Sequence, residues 1–181
     1  MIRALLASFW VTIAPAPATA PSPAPAPVVR QCVKDCRTTE AGIALIRRYE
    51  GYSPYPYLCP AGLRTIGYGH VMQKGRDYPI PLVGDAAEKL LMEDIAKHEA
   101  PVNRAVTVPL WPLQFDALSS FTFNLGGGAF RSSTLLKRVN AERHAEVPAQ
   151  FERWVFAAGK RLRGLERRRA DEAALYEKAR P

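Results

Sequence analysis

One stretch of the chain, from Glu50 to His70, constrains its fold more than any other. It reads EGYSPYPYLCPAGLRTIGYGH, and it begins where an apolar run with helical spacing ends. Prolines and tyrosines follow, and then glycines at the positions expected of a β-hairpin. Glu50, Cys59 and Thr65 are separated by nine and six residues. A carboxyl group, a sulfur and a hydroxyl are therefore predicted to meet where the end of a helix faces a small sheet.

The carboxyl group of Glu50 has two interpretations on spacing alone. A carboxylic acid in a partly apolar cleft can stay protonated near neutral pH and donate that proton, as protonation of a glycosidic oxygen requires. Alternatively, Glu50 is a surface residue at a helix end that pairs with Arg47 or Arg48. The spacing alone favours the second interpretation.

The same stretch resembles the signature of the phage-type lysozymes, the endolysin branch of the muramidases that includes the T4-like enzymes (glycoside hydrolase family 24). In that signature a glutamate, eight residues, an aspartate or cysteine, five residues and a threonine precede the sequence IGYGH. Here these positions hold Glu50, Cys59, Thr65 and residues 66–70. Further matches follow in order over roughly residues 38–178: Ala87–Leu90 with Asp94, Gln114–Leu118, Phe123–Gly126, Phe130–Leu136, and Gly159–Lys160 with Gly164–Arg169.

The resemblance implies an α+β fold that is mainly α, with a small β-hairpin lobe and a larger helical lobe joined by a long helix. It implies hydrolysis of the β-1,4 bond between N-acetylmuramic acid and N-acetylglucosamine in peptidoglycan, and hence bacterial lysis, without a cofactor. Glu50 is the expected general acid, and Thr65 is expected to help to hold the attacking water. The alternatives are a lytic transglycosylase, a non-catalytic peptidoglycan-binding module and a membrane-active basic protein.

Cys59 stands where many members of that family have an aspartate. A free thiol has a pKa of about 8.5 and is mostly protonated at neutral pH. Three roles stay open: a thiolate partner in an active enzyme, a redox switch released by disulfide exchange, or a weakened enzyme that relies on Glu50 alone. Cys32 and Cys36 either bond to each other and leave Cys59 free, or one of them bonds to Cys59.

Further residues receive roles from the resemblance. His70 is expected to pair with Asp94 and to tie the small lobe to the long helix, which is a structural role. Phe123 and Asn124 are expected on the large-lobe wall of a sugar groove, because aromatic faces and amides suit saccharides. The cysteines and histidines lack the spacing of a zinc site, so no metal is predicted.

The charge of the chain favours an anionic partner. The formal net charge is +8 and the isoelectric point is about 9.7. Because the sequence holds no recognisable nucleic-acid-binding motif, peptidoglycan is the favoured partner and nucleic acid the least favoured. The arginines near the C-terminus are interpreted as an exposed basic surface: Arg161, Arg163 and Arg167–Arg169. A monomer is expected.

The first 37 residues differ in composition from the rest. Residues 1–20 combine Arg3 with an apolar run of eleven residues from Ala4 to Ala14, which is typical of a signal peptide or a signal-anchor. Residues 21–37 form a Pro/Ala-rich linker that carries Cys32 and Cys36, and residues 38–181 are the expected catalytic domain. We expect export to the periplasm through the export machinery or the inner membrane, with transient tethering by the N-terminus as an option.

Apolar periodicity, together with capping residues, prolines and glycines, predicts the helices and strands of the domain. A helix is expected from Thr38 or Thr39 to Glu50, short antiparallel strands between Tyr55 and Met72, and a long helix from Gly84 or Asp85. The next helix begins at Trp111-Pro112 and is expected to break at Gly126–Gly128. Three short helices complete the prediction: Ser133–Ala141, Val147–Ala157 and Gly164–Ala179.

Overall fold

The structure is a computed structural model that describes residues 31–179. The predicted signal segment and most of the linker lie outside the described residues. The helices and strands follow in chain order: α1 Glu40–Glu50, β1 Ser53–Leu58, β2 Arg64–Gly67, β3 His70–Val71, α2 Asp85–Ala105, α3 Pro112–Ser132, α4 Thr134–Asn140, α5 Val147–Phe151, β4 Phe156–Ala157, β5 Lys160–Arg161 and α6 Arg163–Glu177. None of the helices within residues 31–179 is long and apolar enough to cross a membrane.

The small lobe is built on a three-stranded antiparallel sheet. Its strand order is β1-β2-β3, and the register aligns Tyr57, Thr65 and Val71 in one row across the sheet. Ile66 and Leu82 pack with the start of α2 to form a small apolar cluster beneath it. The predicted short antiparallel strands are confirmed.

The large lobe holds the main apolar core. Phe121 of α3 lies at its centre and contacts Phe151 and Trp154 edge-on, with ring centroids 5.6 and 5.5 Å apart. Leu135 of α4 and Tyr176 of α6 are completely buried in the same cluster. Four helices thus bury one continuous apolar core, as expected of a chain of this length.

Helix α2 joins the two lobes. Near its start Leu90 packs with the small lobe, and in its middle Leu91 and Ile95 pack against Ile43 and Ile46 of α1. Near its end Val102 is buried in the large-lobe core. The predicted long connecting helix, and with it the mainly α fold with a small sheet lobe, is confirmed.

The segment before α1 is attached to the large lobe. Cys32 and Cys36 form a disulfide, and Cys32 exchanges backbone hydrogen bonds with Leu110. The backbone of Cys36 donates to Asn103 Oδ1 at 2.9 Å and accepts from its Nδ2 at 3.0 Å. Cys59 is a free thiol. Of the two pairings left open by the sequence, the structure has the one that leaves Cys59 unbonded.

The predicted break at the glycines after Leu125 is present: Gly126, at φ +83° and ψ +156°, is non-helical and separates two helical segments, which together span Pro112–Ser132 and carry the label α3. One predicted helix end differs from the structure. The predicted helix Val147–Ala157 is wrong beyond Phe151, because residues 156–161 form a second hairpin instead. The two residues of its turn, Ala158 at φ +48° and Gly159 at φ +74°, both have the positive φ that a tight two-residue hairpin turn requires.

Candidate active site

Glu50 faces a cavity of about 470 Å³ between the lobes. The cavity lies beside the end of α1, the third strand, the middle of α2 and the middle of α3. The residues that line it are Glu50, Gly69, His70, Val71, Gln73, Asp94, Lys97, His98 and Phe123. Gly69 adjoins the carboxyl group of Glu50: a methyl group at Gly69 would lie 3.7 Å from Glu50 Oε2, in ordinary van der Waals contact.

Glu50 is held by a buried arginine from the other end of the chain. Arg168 Nη1 donates to Glu50 Oε1 at 2.6 Å, and the Glu50 side chain is 20% exposed. Arg47 pairs with Glu40 and Glu88, and Arg48 pairs with Asp171. These contacts exclude the interpretation of Glu50 as a surface residue paired with Arg47 or Arg48. Where the sequence predicts a partly apolar cleft around the Glu50 carboxyl group, the structure has an ion pair with Arg168.

A buried ionic network connects this arginine to α3. Glu172 is completely buried and accepts from Ser120 Oγ at 2.8 Å and from Arg168 Nε at 3.2 Å. Arg169, also completely buried, lies 2.9 Å from the same carboxylate and donates to Asn124 Oδ1 at 3.0 Å. Burial lowers the pKa of Arg169, and the Glu172 carboxylate opposes that change.

The interpretation of Arg168 and Arg169 as part of an exposed basic surface is wrong. Both are buried, whereas the other members of that group, Arg161, Arg163 and Arg167, are exposed. One feature of the sequence is compatible with this network: Glu172 lies four residues after Arg168 and three after Arg169, a spacing that puts opposite charges on one helix face. Sequence reasoning missed this network.

The two residues predicted on the sugar groove have different surroundings. Phe123 lines the cavity beside Glu50. The side chain of Asn124 accepts from Arg169 and belongs to the network behind the cavity. The structure therefore brings Phe123, but not Asn124, to the cavity wall.

Cys59 and Thr65 lie together in the small sheet. Thr65 is 2% exposed, and its hydroxyl donates to the Leu63 carbonyl at 3.0 Å. The pKa of the Cys59 thiol is lowered by hydrogen bonding to the backbone of Leu63 and of Ala61, with a smaller contribution from the Thr65 side chain. The cavity lining includes neither residue, but Val71, the cross-strand neighbour of Thr65, is part of it.

His70 links the sheet to α2. Its Nδ1 lies 2.7 Å from Asp94 Oδ2 and its Nε2 lies 2.9 Å from the Tyr78 hydroxyl, so both ring nitrogens are occupied. Lys97 also contacts Asp94, at 2.7 Å. The predicted contact between His70 and Asp94 is present, and Tyr78 and Lys97 are partners that sequence reasoning missed. Residues 31–179 contain no cluster of three or more histidine, cysteine or acidic side chains placed to hold a metal ion.

This architecture defines a class of protein. A carboxyl group at a helix end, facing a cleft between a small sheet lobe and a helical lobe, is the arrangement of a lysozyme-like glycoside hydrolase. The phage lysozyme family profile matches residues 47–172, well over half of the 181 residues. The chain belongs to the phage lysozyme family and is a glycoside hydrolase that acts on peptidoglycan.

Known relatives agree with this assignment. The endolysin of Acyrthosiphon pisum secondary endosymbiont phage 1 is 42% identical over 145 residues, which cover 78% of this chain and 98% of that protein. The SAR-endolysin of Escherichia phage Mu is 41% identical over 128 residues, covering 70% of this chain and 73% of that protein. Among solved structures, the muramidase domain of SpmX from Asticaccaulis excentricus superposes with a TM-score of 0.70 at 35% identity, covering 78% of this chain and 97% of that domain.

Proposed function

We propose that the protein hydrolyses the β-1,4 bond between N-acetylmuramic acid and N-acetylglucosamine, with Glu50 as general acid. The observation that carries this proposal is the position of Glu50: it lies at the wall of the cavity between the lobes, held by Arg168 at 2.6 Å. In this mechanism Glu50 donates its proton to the glycosidic oxygen as the bond to C1 breaks. Water adds to C1 as the Cys59 thiolate takes one of its protons, which leaves a hydrated reducing end, and the proton on the thiol then returns to Glu50 through solvent.

Cys59 and Thr65 are proposed to serve the attacking water. The lowered pKa of the Cys59 thiol, to which the Thr65 side chain contributes, supports a sulfur that accepts a proton from the water. The Thr65 hydroxyl donates to the Leu63 carbonyl and keeps lone pairs that can accept from the same water. By analogy with the family, the water attacks from the face opposite the acid and inverts the anomeric centre. His70 and Asp94 are proposed to hold the small lobe on α2 without taking part in the reaction.

A lytic transglycosylase reaction is the second candidate. The observation that favours it is that the cavity beside Glu50 includes neither Cys59 nor Thr65 in its lining. In this reaction the C6 hydroxyl of the muramic acid, rather than water, attacks C1 and gives its proton to the Glu50 carboxylate, which has already protonated the leaving oxygen. The product is an anhydro sugar, and no second protein group is needed to hold a water.

The N-terminal segment is proposed to carry the domain to the periplasm. Its apolar run fits a signal peptide or an anchor that later leaves the membrane. The likeness to the SAR-endolysin of Escherichia phage Mu is consistent with transient tethering. The peptidoglycan substrate would then be within reach of the domain.

Mass spectrometry of fragments released from purified peptidoglycan tests the assignment. We expect hydrated reducing-end sugars from the wild type without reductant, because Cys59 is free. Products that require a reductant would show that Cys59 is gated by disulfide exchange, and anhydro sugars would establish the transglycosylase. Release of no product under either condition would overturn the enzymatic assignment and leave only binding.

Replacement of the acid tests its role. We expect Glu50→Gln to lower turnover by about a hundredfold to ten-thousandfold, the usual contribution of a general acid. The glutamine keeps an oxygen that can accept from Arg168, and Arg168 keeps its ion pair with the buried Glu172, so the thermal unfolding midpoint should stay close to that of the wild type. Retention of wild-type turnover by a folded variant would contradict the mechanism.

A further inference from the structure

His98 lies in the cavity but has no place in the mechanism above. It is half-buried on α2, one turn after Asp94, and it lines the same cavity as Glu50 and Phe123. Its ring lies 4.7 Å from the ring of Phe123, centroid to centroid, at an interplanar angle of 46°. The position is therefore a cavity wall made of one imidazole and one phenyl ring.

The ring nitrogens of His98 have different hydrogen-bond partners from those of the other two histidines. His70 has both ring nitrogens occupied by Asp94 and Tyr78, and His144 contacts the Tyr176 hydroxyl at 2.8 Å. The hydrogen bonds between side chains within residues 31–179 do not include His98, whose polar contact is with the backbone of Thr122. An imidazole has two polar nitrogens, so one of them remains for a group that enters the cavity.

The protonation state of His98 suits an uncharged ligand. Burial lowers the pKa of His98, and the charges of Asp94 and Glu50 and the Thr122 backbone only partly oppose this. The ring is therefore neutral near neutral pH; its one N–H donates to the Thr122 backbone, and the other nitrogen is an acceptor for an N–H group of a ligand. A neutral ring beside a phenyl face matches a sugar that carries an amide, since the sugar's apolar face can pack on Phe123 while its amide bonds to the imidazole.

We propose that His98 is a substrate-binding residue that hydrogen-bonds the N-acetyl group of the hexosamine packed against Phe123. The proposal rests on the function proposed above and names the part of the cavity that recognises the N-acetylated sugar. His98 and Phe123 then form the large-lobe wall of the cavity, and together they hold the sugar in register with Glu50. A role for Asn124 in this wall is not required, because its side chain is held by Arg169.

Binding to a catalytically silent chain tests the proposal. Calorimetric titration of the full-length E50Q chain with a soluble oligosaccharide of alternating N-acetylglucosamine and N-acetylmuramic acid measures affinity without turnover. We expect E50Q/H98F to bind about threefold to tenfold more weakly than E50Q, the usual value of one hydrogen bond. Phenylalanine keeps a ring against Phe123, so loss of packing does not account for this change. Met92→Ala, an exposed change on the same helix, is the matched control and should leave the affinity unchanged.

Two amide variants keep the test decisive if the phenylalanine variant does not unfold cooperatively. Asparagine and glutamine place a polar amide near the two ring-nitrogen positions in turn, and we expect one of them to bind more tightly than His98→Ala. Equal affinities of E50Q and a folded E50Q/H98F would overturn the role of His98 and leave the proposed function intact. Failure of E50Q to bind any oligosaccharide, together with absence of lysis by the wild type, would overturn both.

Discussion

At the level of single residues, His98 affects the free energy of unfolding of the protein as well as the proposed binding of substrate. Because burial lowers its pKa in the folded chain, the unfolded chain binds more protons between the folded value and the unfolded value of about 6.5. The free energy of unfolding contributed by His98 is therefore fully present above about pH 6.5 and is lost as the pH falls toward the folded value.

His98→Phe measures this contribution. Urea unfolding of wild type and variant between about pH 5 and pH 8 should give a stability difference that shifts in favour of the wild type as the pH rises. Every other ionisable group is common to the two chains, so its contribution cancels in the difference. A difference that does not change with pH would contradict the lowered pKa.

The residues of the site differ in how far the sequence could predict them. Glu50, Cys59 and Thr65 belong to one short stretch whose spacing and residue types are visible in the sequence. Arg168 lies 118 positions from Glu50. Its acidic neighbour four residues later, Glu172, does not distinguish it from the exposed Arg167, which has Asp171 at the same spacing. Its burial depends on how α6 rotates against α3, which is set by packing across the whole large lobe.

Helix α6 depends on the ionic network that it carries. Glu172→Gln removes the carboxylate charge that Arg168 and Arg169 share, and it leaves two buried guanidinium groups with less compensation. Breaking such a buried pair costs about 3–5 kcal/mol of unfolding free energy. Arg167→Ala, an exposed change on the same helix, should stay within about 0.5 kcal/mol of the wild type. Urea unfolding of the two variants compares them, and equal stabilities would show that the network contributes little.

Two neighbouring glycines in α3 should respond in opposite directions to alanine. A methyl group at Gly127 would lie 2.7 Å from the Pro101 side chain of α2, whereas one at Gly128 would meet nothing within 4 Å. Gly127→Ala should therefore cost about 1–3 kcal/mol by overpacking, and Gly128→Ala should stabilise the helix by about 0.5–1 kcal/mol. Thermal unfolding midpoints check both, and a stable Gly127→Ala would mean that α2 and α3 can move apart.

The helices and strands differ in how well the local sequence predicts them. Helix α2 was predicted from Gly84 onward because its apolar spacing runs without interruption. The end of α5 and the hairpin of residues 156–161 were not predicted, because two-residue strands carry no periodicity. The pairing continues in the hydrogen bond from the Leu162 amide to the Val155 carbonyl, which the sequence pattern does not indicate either.

At the scale of the whole molecule, the N-terminal disulfide and the cavity belong to different parts of the fold. The Cys32–Cys36 bond packs on Leu110 and Asn103 of the large lobe, and none of these residues lines the cavity. Two buried carboxylates continue the attachment toward α1: Glu99 accepts from the Thr38 amide at 2.7 Å, and Asp116 from the Thr39 amide at 2.7 Å. The segment is thus fixed to α2 and α3 by several contacts besides the disulfide.

Reduction of the full-length chain should therefore lower stability without raising activity. The chain-entropy estimate for a loop this short is about 2 kcal/mol of unfolding free energy, and the other contacts of the segment remain. Turnover at a temperature well below the unfolding midpoint should not change, since Cys59 is free before reduction. The double variant C32S/C36S should match the reduced wild type in stability and should not respond to reductant. A rise in turnover on reduction of the wild type, absent from the double variant, would mean that exchange with the disulfide controls Cys59 and that the two regions are coupled.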